Sequence, residues 1–275
     1  MSAATTSRSA VSVDELKRAW TAVQAGDFRH GTDRGNTRPP RPTAPVDTEW
    51  IPAAGERTIA VLGAAGTVGA STVALALGLA APEPVRVVEC CSVTASAMAA
   101  ASTAELGLDA SGWRQGRRDH VLLERASEAL VHVDDVPTPI VTEAERQLTI
   151  LDIGWDVTQL LATGCWLNDT TQAADALVVV SSATVPGLRR LEAALELLDN
   201  ARAVVAVVGP RRKKWPKGVE PSAGPITRRA LDTERCVEIP QDRALAITGL
   251  DSRPMPEPVV AAVRQLLDRL HLSHD

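Results

Sequence analysis

Tyrosine is absent from this chain and phenylalanine occurs once, so aromatic residues make up only 3% of its 275 positions. The core must therefore be built mostly from Ala, Val, Leu and Ile, and every catalyst that depends on a tyrosine hydroxyl is excluded. Cysteine is also scarce. Cys90 and Cys91 are adjacent, Cys165 and Cys236 are isolated, and no C-x-x-C pair exists. Four cysteines are too few for a disulfide-stapled secreted module of this length, and their spacing supports neither a zinc site nor a thioredoxin-type site. The histidines at 30, 120, 132, 271 and 274 show no metal-ligand spacing, and no G-x-S-x-G nucleophile elbow is present. A formal net charge of -5, with 45% hydrophobic and 23% charged residues, excludes a chain disordered throughout. The length suits one large α/β domain or two small ones.

The first ten residues lack the apolar centre of a signal peptide, so a cytoplasmic protein is the expectation. Residues 58–82 carry no charge over 25 positions, long enough to cross a bilayer. Glycines at 63, 66, 69 and 78, with Ser71 and Thr72 between them, fit a strand, a glycine turn and a buried helix better than a membrane span.

Residues 1–57 read as an extension. A short amphipathic helix is expected over 12–25, with Val13, Leu16, Trp20 and Val23 on one face and Ser12 with Glu15 as a capping box. A Pro- and Arg-rich linker follows. The helix either packs back on the main domain or docks a protein partner in a groove.

From residue 58 to 275 strands and helices alternate. Strands are expected at 58–62, 85–89, 148–152, 176–181, 203–208 and 236–239, with a weaker one at 129–133. Helices are expected at 71–81, 187–200 and 258–270. The strands are apolar throughout rather than alternating, as parallel strands covered on both faces are. The fold class is α/β, a doubly wound and mostly parallel sheet whose ligands bind beyond the carboxyl ends of the strands. Residues 205–235 hold eight basic and three acidic side chains on an otherwise acidic body. Arg211, Arg212, Lys213, Lys214 and Lys217 form a basic loop, either a solvated turn or a contact for nucleic acid or another anionic partner.

The first strand runs into Gly63-Ala64-Ala65-Gly66-Thr67-Val68-Gly69-Ala70-Ser71-Thr72 and a helix. A glycine turn at a helix N-terminus is an anion site, because free amides converge there and the helix dipole adds positive potential. The spacing resembles two families. "GAAGTVG" is similar to the loop of extended short-chain dehydrogenases and NmrA-like proteins, with Glu89 placed for a ribose hydroxyl. That family's catalytic Tyr is missing here, which leaves at most a dinucleotide-binding sensor.

The second resemblance, to the ParA/MinD family of P-loop positioning ATPases, extends over about 57–270. "GASTVALALGLA" stands where that family's P-loop and following helix do. "LTILDIG" resembles its Walker B strand and switch II start, "QAADALVVVSSATVPGLRRLEAALELLD" its next strand and helix, "RAVVAVVGP" the strand before the base-binding loop, and "VEIPQDRAL" its IPxD segment. The resemblance implies ATP or ADP with Mg²⁺ as the ligand. Gly63, Gly66, Thr67, Val68, Gly69, Ala70, Ser71, Thr72, Gly154 and Pro240 would line the nucleotide, and Ser71 and Asp152 would hold the metal. It also implies a homodimer as an available state. The departures matter: Ala70 replaces the lysine that reaches the β- and γ-phosphates, and Ala65 replaces the signature lysine. The expectation is a catalytically degenerate relative, at most a weak nucleotide binder. It would serve as a positioning, assembly or regulatory scaffold in a partition, secretion, conjugation or pilus machine. The alternative is an active but atypical ATPase that borrows a lysine or arginine from elsewhere.

Overall fold

The computed structural model describes residues 49–92, 94–140, 148–198 and 202–271. The expected N-terminal helix and linker lie outside the described residues. The chain divides into two units, Met1–Val46 and Asp47–Asp275. The second unit holds every described residue.

Nine strands form one sheet in the order β3-β4-β5-β2-β6-β1-β7-β8-β9. They are β1 (Arg57–Gly63), β2 (Val85–Cys91), β3 (Ala104–Leu108), β4 (Trp113–Arg118), β5 (Val121–Ala126), β6 (Leu148–Gly154), β7 (Ala176–Ser182), β8 (Ala203–Gly209) and β9 (Cys236–Pro240). All neighbours are parallel except β3 with β4 and β4 with β5. The helices are α1 (Ala70–Ala80), α2 (Val157–Ala162), α3 (Trp166–Ala173), α4 (Val185–Leu197), α5 (Pro225–Leu231), α6 (Arg243–Thr248) and α7 (Glu257–His271).

The central strands carry β-branched apolar residues on both faces because helices cover both. The α1 and α7 face is aliphatic, built from residues such as Val73, Leu77, Val263 and Leu266 against Val61, Val87 and Ile150. A Cβ on Gly78 of α1 would stand 2.9 Å from Val87, so glycine is what allows that helix to lie so close. The opposite face collects Trp50, Trp113, Trp155 and Trp166 together with Leu160, Leu188 and Leu191. The C-terminal helix buries Val259, Val263, Leu266, Leu267 and Leu270, so its apolar stripe is spent on the core.

Residues 50–56 also belong to this body. Trp50 is buried and meets Trp166 edge-on, with ring centroids 5.8 Å apart. Arg86, at the start of β2, lies 5.2 Å from the Trp50 ring and bonds Glu56 (3.1 Å), Thr149 (2.6 Å) and the carbonyl of Ile140 (2.8 Å). Glu124 stands 3.7 Å away on its other side. A guanidinium with this many acceptors can be buried without an uncompensated charge.

One expectation needs correction. Residues 129–133 are not a strand. The Asp135 carboxylate accepts from the amides of Val131 and His132, and a 3₁₀ turn forms over Val133–Asp135. The strand of that region is β5, reached through the antiparallel meander β3–β4–β5, which the pattern of apolar runs does not mark. No helix among the described residues is long and apolar enough to cross a membrane.

Candidate functional site

The end of β1 turns sharply. A Cβ on Gly63 would approach the Ala65 carbonyl to 2.7 Å, so only glycine fits, and the Ala64 amide is tied to Val180 at 2.8 Å. Thr67 and Gly69 take left-handed backbone angles, φ 62° and 93°, which brings the chain round into α1. Gly69 caps that helix with no side-chain hydrogen bond, and the first turn holds no acidic residue. The first intrahelical bond is Val73 N–H to the Gly69 carbonyl at 3.0 Å. The amides before it therefore face outward from a positive helix end. Gly66 is different: nothing lies within 4 Å of where its Cβ would be. Its lack of a side chain keeps the mouth of the loop open.

Asp152 on β6 is in register with Val61 of β1 on one side and Glu89 of β2 on the other. It is 1% exposed, and neither carboxylate oxygen has a hydrogen-bond partner. Burial pushes its pKa up to about 7; the nearby Ser71 hydroxyl pulls it down and the Glu89 charge pushes it further up. Ser71 stands close enough to lower that pKa, yet no hydrogen bond to either carboxylate oxygen is formed. A buried orphan carboxylate next to a hydroxyl and a cluster of free amides fits a hydrated divalent cation shared with a phosphate. The residues present thus fit Mg²⁺ with a phosphate chain, without the usual lysine. Among the described residues no group of three His, Cys, Asp or Glu is placed to hold a metal by itself.

Glu89 is spent internally. Its carboxylate accepts from the Ser96 hydroxyl (2.9 Å) and from the amides of Ala97 (2.7 Å) and Met98 (2.8 Å). That removes the free carboxylate which the dinucleotide reading needed. The strand order argues the same way: β6 lies between β1 and β2, whereas a dinucleotide fold keeps its first two strands adjacent. Beside Glu89, burial raises the Cys90 and Cys91 thiols above their ordinary value, which keeps them protonated and unreactive. A Cβ on Gly154 would stand 2.4 Å from that of Cys91, so packing alone already demands glycine there.

The far side of the cradle is formed by β8 and β9. Val208 would lie 3.6 Å from a Cβ on Gly69, and Gly209 pairs with Pro240. The fold therefore gathers the 63–72 loop, Asp152, Gly154 and Pro240 along one edge of the sheet. The basic loop starts at the same edge but is not uniform. Arg212 bonds Glu220 (2.5 Å), Asp232 (2.8 Å) and the Leu231 carbonyl (2.8 Å), and its amide bonds Glu238 (3.0 Å). Asp232 and Glu220 raise its pKa and withdraw it from any outside ligand. Trp215 donates to the Pro210 carbonyl at 2.8 Å and packs on the core, so it pins the loop. Arg211, Lys213, Lys214 and Lys217 remain exposed.

A mostly parallel sheet with the glycine turn after β1 and an aspartate on the neighbouring β6 is the layout of a P-loop type of α/β fold. The chain's fold is that of the ParA/MinD ATPases. A plasmid partition protein of Borrelia burgdorferi B31 bound to AMPPNP superimposes with a TM-score of 0.51 at 10% identity, over 80% of this chain and 100% of that one. The MinC:MinD cell division complex of Aquifex aeolicus gives 0.50 at 14% identity, over 78% and 96%. No protein-family model and no curated protein matches the sequence.

Proposed function

We propose that this chain is a catalytically degenerate ParA/MinD-like protein, a weak nucleotide binder that works as a positioning, assembly or regulatory scaffold. The observation that supports this reading is the pairing of a complete glycine cradle with methyl side chains at Ala65 and Ala70. The turn geometry, the outward amides and Asp152 are retained, while the two cations are gone. Phosphoryl transfer depends mostly on positioning and charge stabilisation. Losing one preorganised donor to developing charge costs about 3–4 kcal/mol of barrier. Losing two brings turnover close to background. Binding suffers less, because each charge-assisted bond contributes only about 1.5–3 kcal/mol.

In this reading the amides at the start of α1 receive the phosphates, and Ser71 and Asp152 hold Mg²⁺. The metal supplies the positive charge that the lysines no longer provide. The apolar stripe expected from the sequence at Val13, Leu16, Trp20 and Val23 would meet a protein, and the exposed Arg211, Lys213, Lys214 and Lys217 an anionic partner such as nucleic acid. A homodimer fits the same reading. Calorimetry with ATP–Mg²⁺ and a phosphate-release assay on the full chain test it: weak binding without measurable turnover is expected. Tight binding with turnover near one per second overturns it in favour of an atypical active ATPase.

A further inference from the structure

One row of register partners crosses six of the nine strands: Leu108, Arg114, Arg125, Glu89, Asp152 and Val61, on β3, β4, β5, β2, β6 and β1 in turn. In-register neighbours point to the same face, so Arg114 and Arg125 stand directly opposite each other. Cross-strand partners in an antiparallel pair have Cβ atoms about 4.5–5.5 Å apart, and like charges there repel. The sheet does little to relieve this. The Arg114 side chain is exposed. The Arg125 side chain is 13% exposed, and its Nε is buried without a partner. It forms an ion pair with Glu105 of the edge strand, and Glu89 stands beside it in the same row. Both oxygens of the Glu105 carboxylate sit at a long 3.3 Å from a single Nη atom, and the Glu105 side chain is 53% exposed.

We infer that Arg114 and Arg125 form an oxyanion site, separate from the glycine cradle, that takes a carboxylate or phosphate group between the two guanidiniums. Guanidinium groups are planar forks that bind such oxyanions bidentately. An anion there lies between two cations that otherwise repel. Glu105 occupies the position loosely, as an internal competitor. Leu106 and Leu108, 50% and 62% exposed on the adjoining edge strand, supply an apolar border. Strand β3 carries a bulge between Glu105 and Gly107, with Gly107 at φ 105°. That interruption disfavours simple strand addition along this edge and leaves side-chain recognition by the arginine pair as the mode of contact.

The test uses the full chain at low ionic strength, with a fluorescein-labelled hexaglutamate peptide read by anisotropy and inorganic phosphate read by thermal shift. The peptide is expected to bind the wild type. Arg114→Gln and Arg125→Gln should each weaken it at least tenfold. Glu105→Gln should tighten it severalfold, since the internal competitor loses its charge. A double Lys213→Gln, Lys214→Gln variant should bind like the wild type. Phosphate should raise the Tm of the wild type and leave that of Arg114→Gln unmoved. If phosphate displaces the peptide, the site accepts either source of oxyanion; if it does not, the source is an acidic protein segment. Arg114 and Glu105 are exposed, so their variants remain readable even if Arg125→Gln fails to fold. Absence of binding by both probes, an unchanged or weakened Glu105→Gln, or an equal loss in the lysine double variant overturns the inference.

Discussion

Glu89 and Asp152 are register partners on adjacent strands, both buried, and their hydrogen bonding is opposite. Glu89 accepts three hydrogen bonds from its own chain; neither oxygen of Asp152 has any partner. A buried carboxylate without donors favours its protonated form. With a folded pKa near 7 against an ordinary 3.8, the folded state holds more protons than the unfolded state between those two values. Stability contributed at this position therefore falls as pH rises from about 4 to about 7, and is flat above. The span corresponds to an upper limit of about 4 kcal/mol. Asp152→Asn should be more stable than the wild type at pH 8 and close to it at pH 4. Urea unfolding at both values measures the difference. Mg²⁺ should recover part of the gap at pH 8 in the wild type only.

Restoring the missing cation addresses the cradle directly. Ala70→Lys should tighten ATP–Mg²⁺ binding by roughly ten- to a hundredfold, the equivalent of one charge-assisted bond of about 1.5–3 kcal/mol. Parallel titrations of the two proteins measure it. No gain would mean that another side chain already fills that role.

Glu89→Gln keeps the shape of the side chain but removes its charge and turns one acceptor into a donor facing an amide. A loss of about 1.5–3 kcal/mol is expected, with faster hydrogen exchange at the amides of Ala97 and Met98. If exchange accelerates across the whole sheet instead, the effect is not local to that loop.

Arg86→Met should be the most damaging of these changes. It leaves Glu56 and Glu124 buried around an apolar side chain, and breaking a buried pair from one side costs about 3–5 kcal/mol. Adding Glu56→Gln and Glu124→Gln should recover a large part of that loss. Thermal unfolding of the single and triple variants reads both effects.

The parallel strands were legible because their apolar runs are continuous, and the α1 and α7 helices because their glycine turn and apolar face repeat at recognisable spacing. The meander was not. Its strands carry Arg114, Arg117, Arg118, Glu124 and Arg125, and β3 is exposed along its whole length, so no apolar run announces them. The Arg118-Asp119-His120-Val121 turn, with Asp119 at φ 52°, was the available signal. Residues 129–133 misled because a short apolar run does not show a downstream carboxylate folding the segment into a turn. In the site, glycine spacing revealed the cradle, but where Glu89 and Arg212 spend their charge depends on neighbours far along the chain. Four cations beside Arg212 look equivalent in one dimension; only the fold sets Glu220, Asp232 and Glu238 around one of them.

The close approach of α1 to the sheet at Gly78 has one more consequence. Wedged between Val87 and Val121, the helix has no slack to slide or tilt, so the amides at its opposite end keep their positions whether or not an anion is near. If the proposed ligand binds at that edge, it would find its berth ready without a preceding rearrangement of the helix.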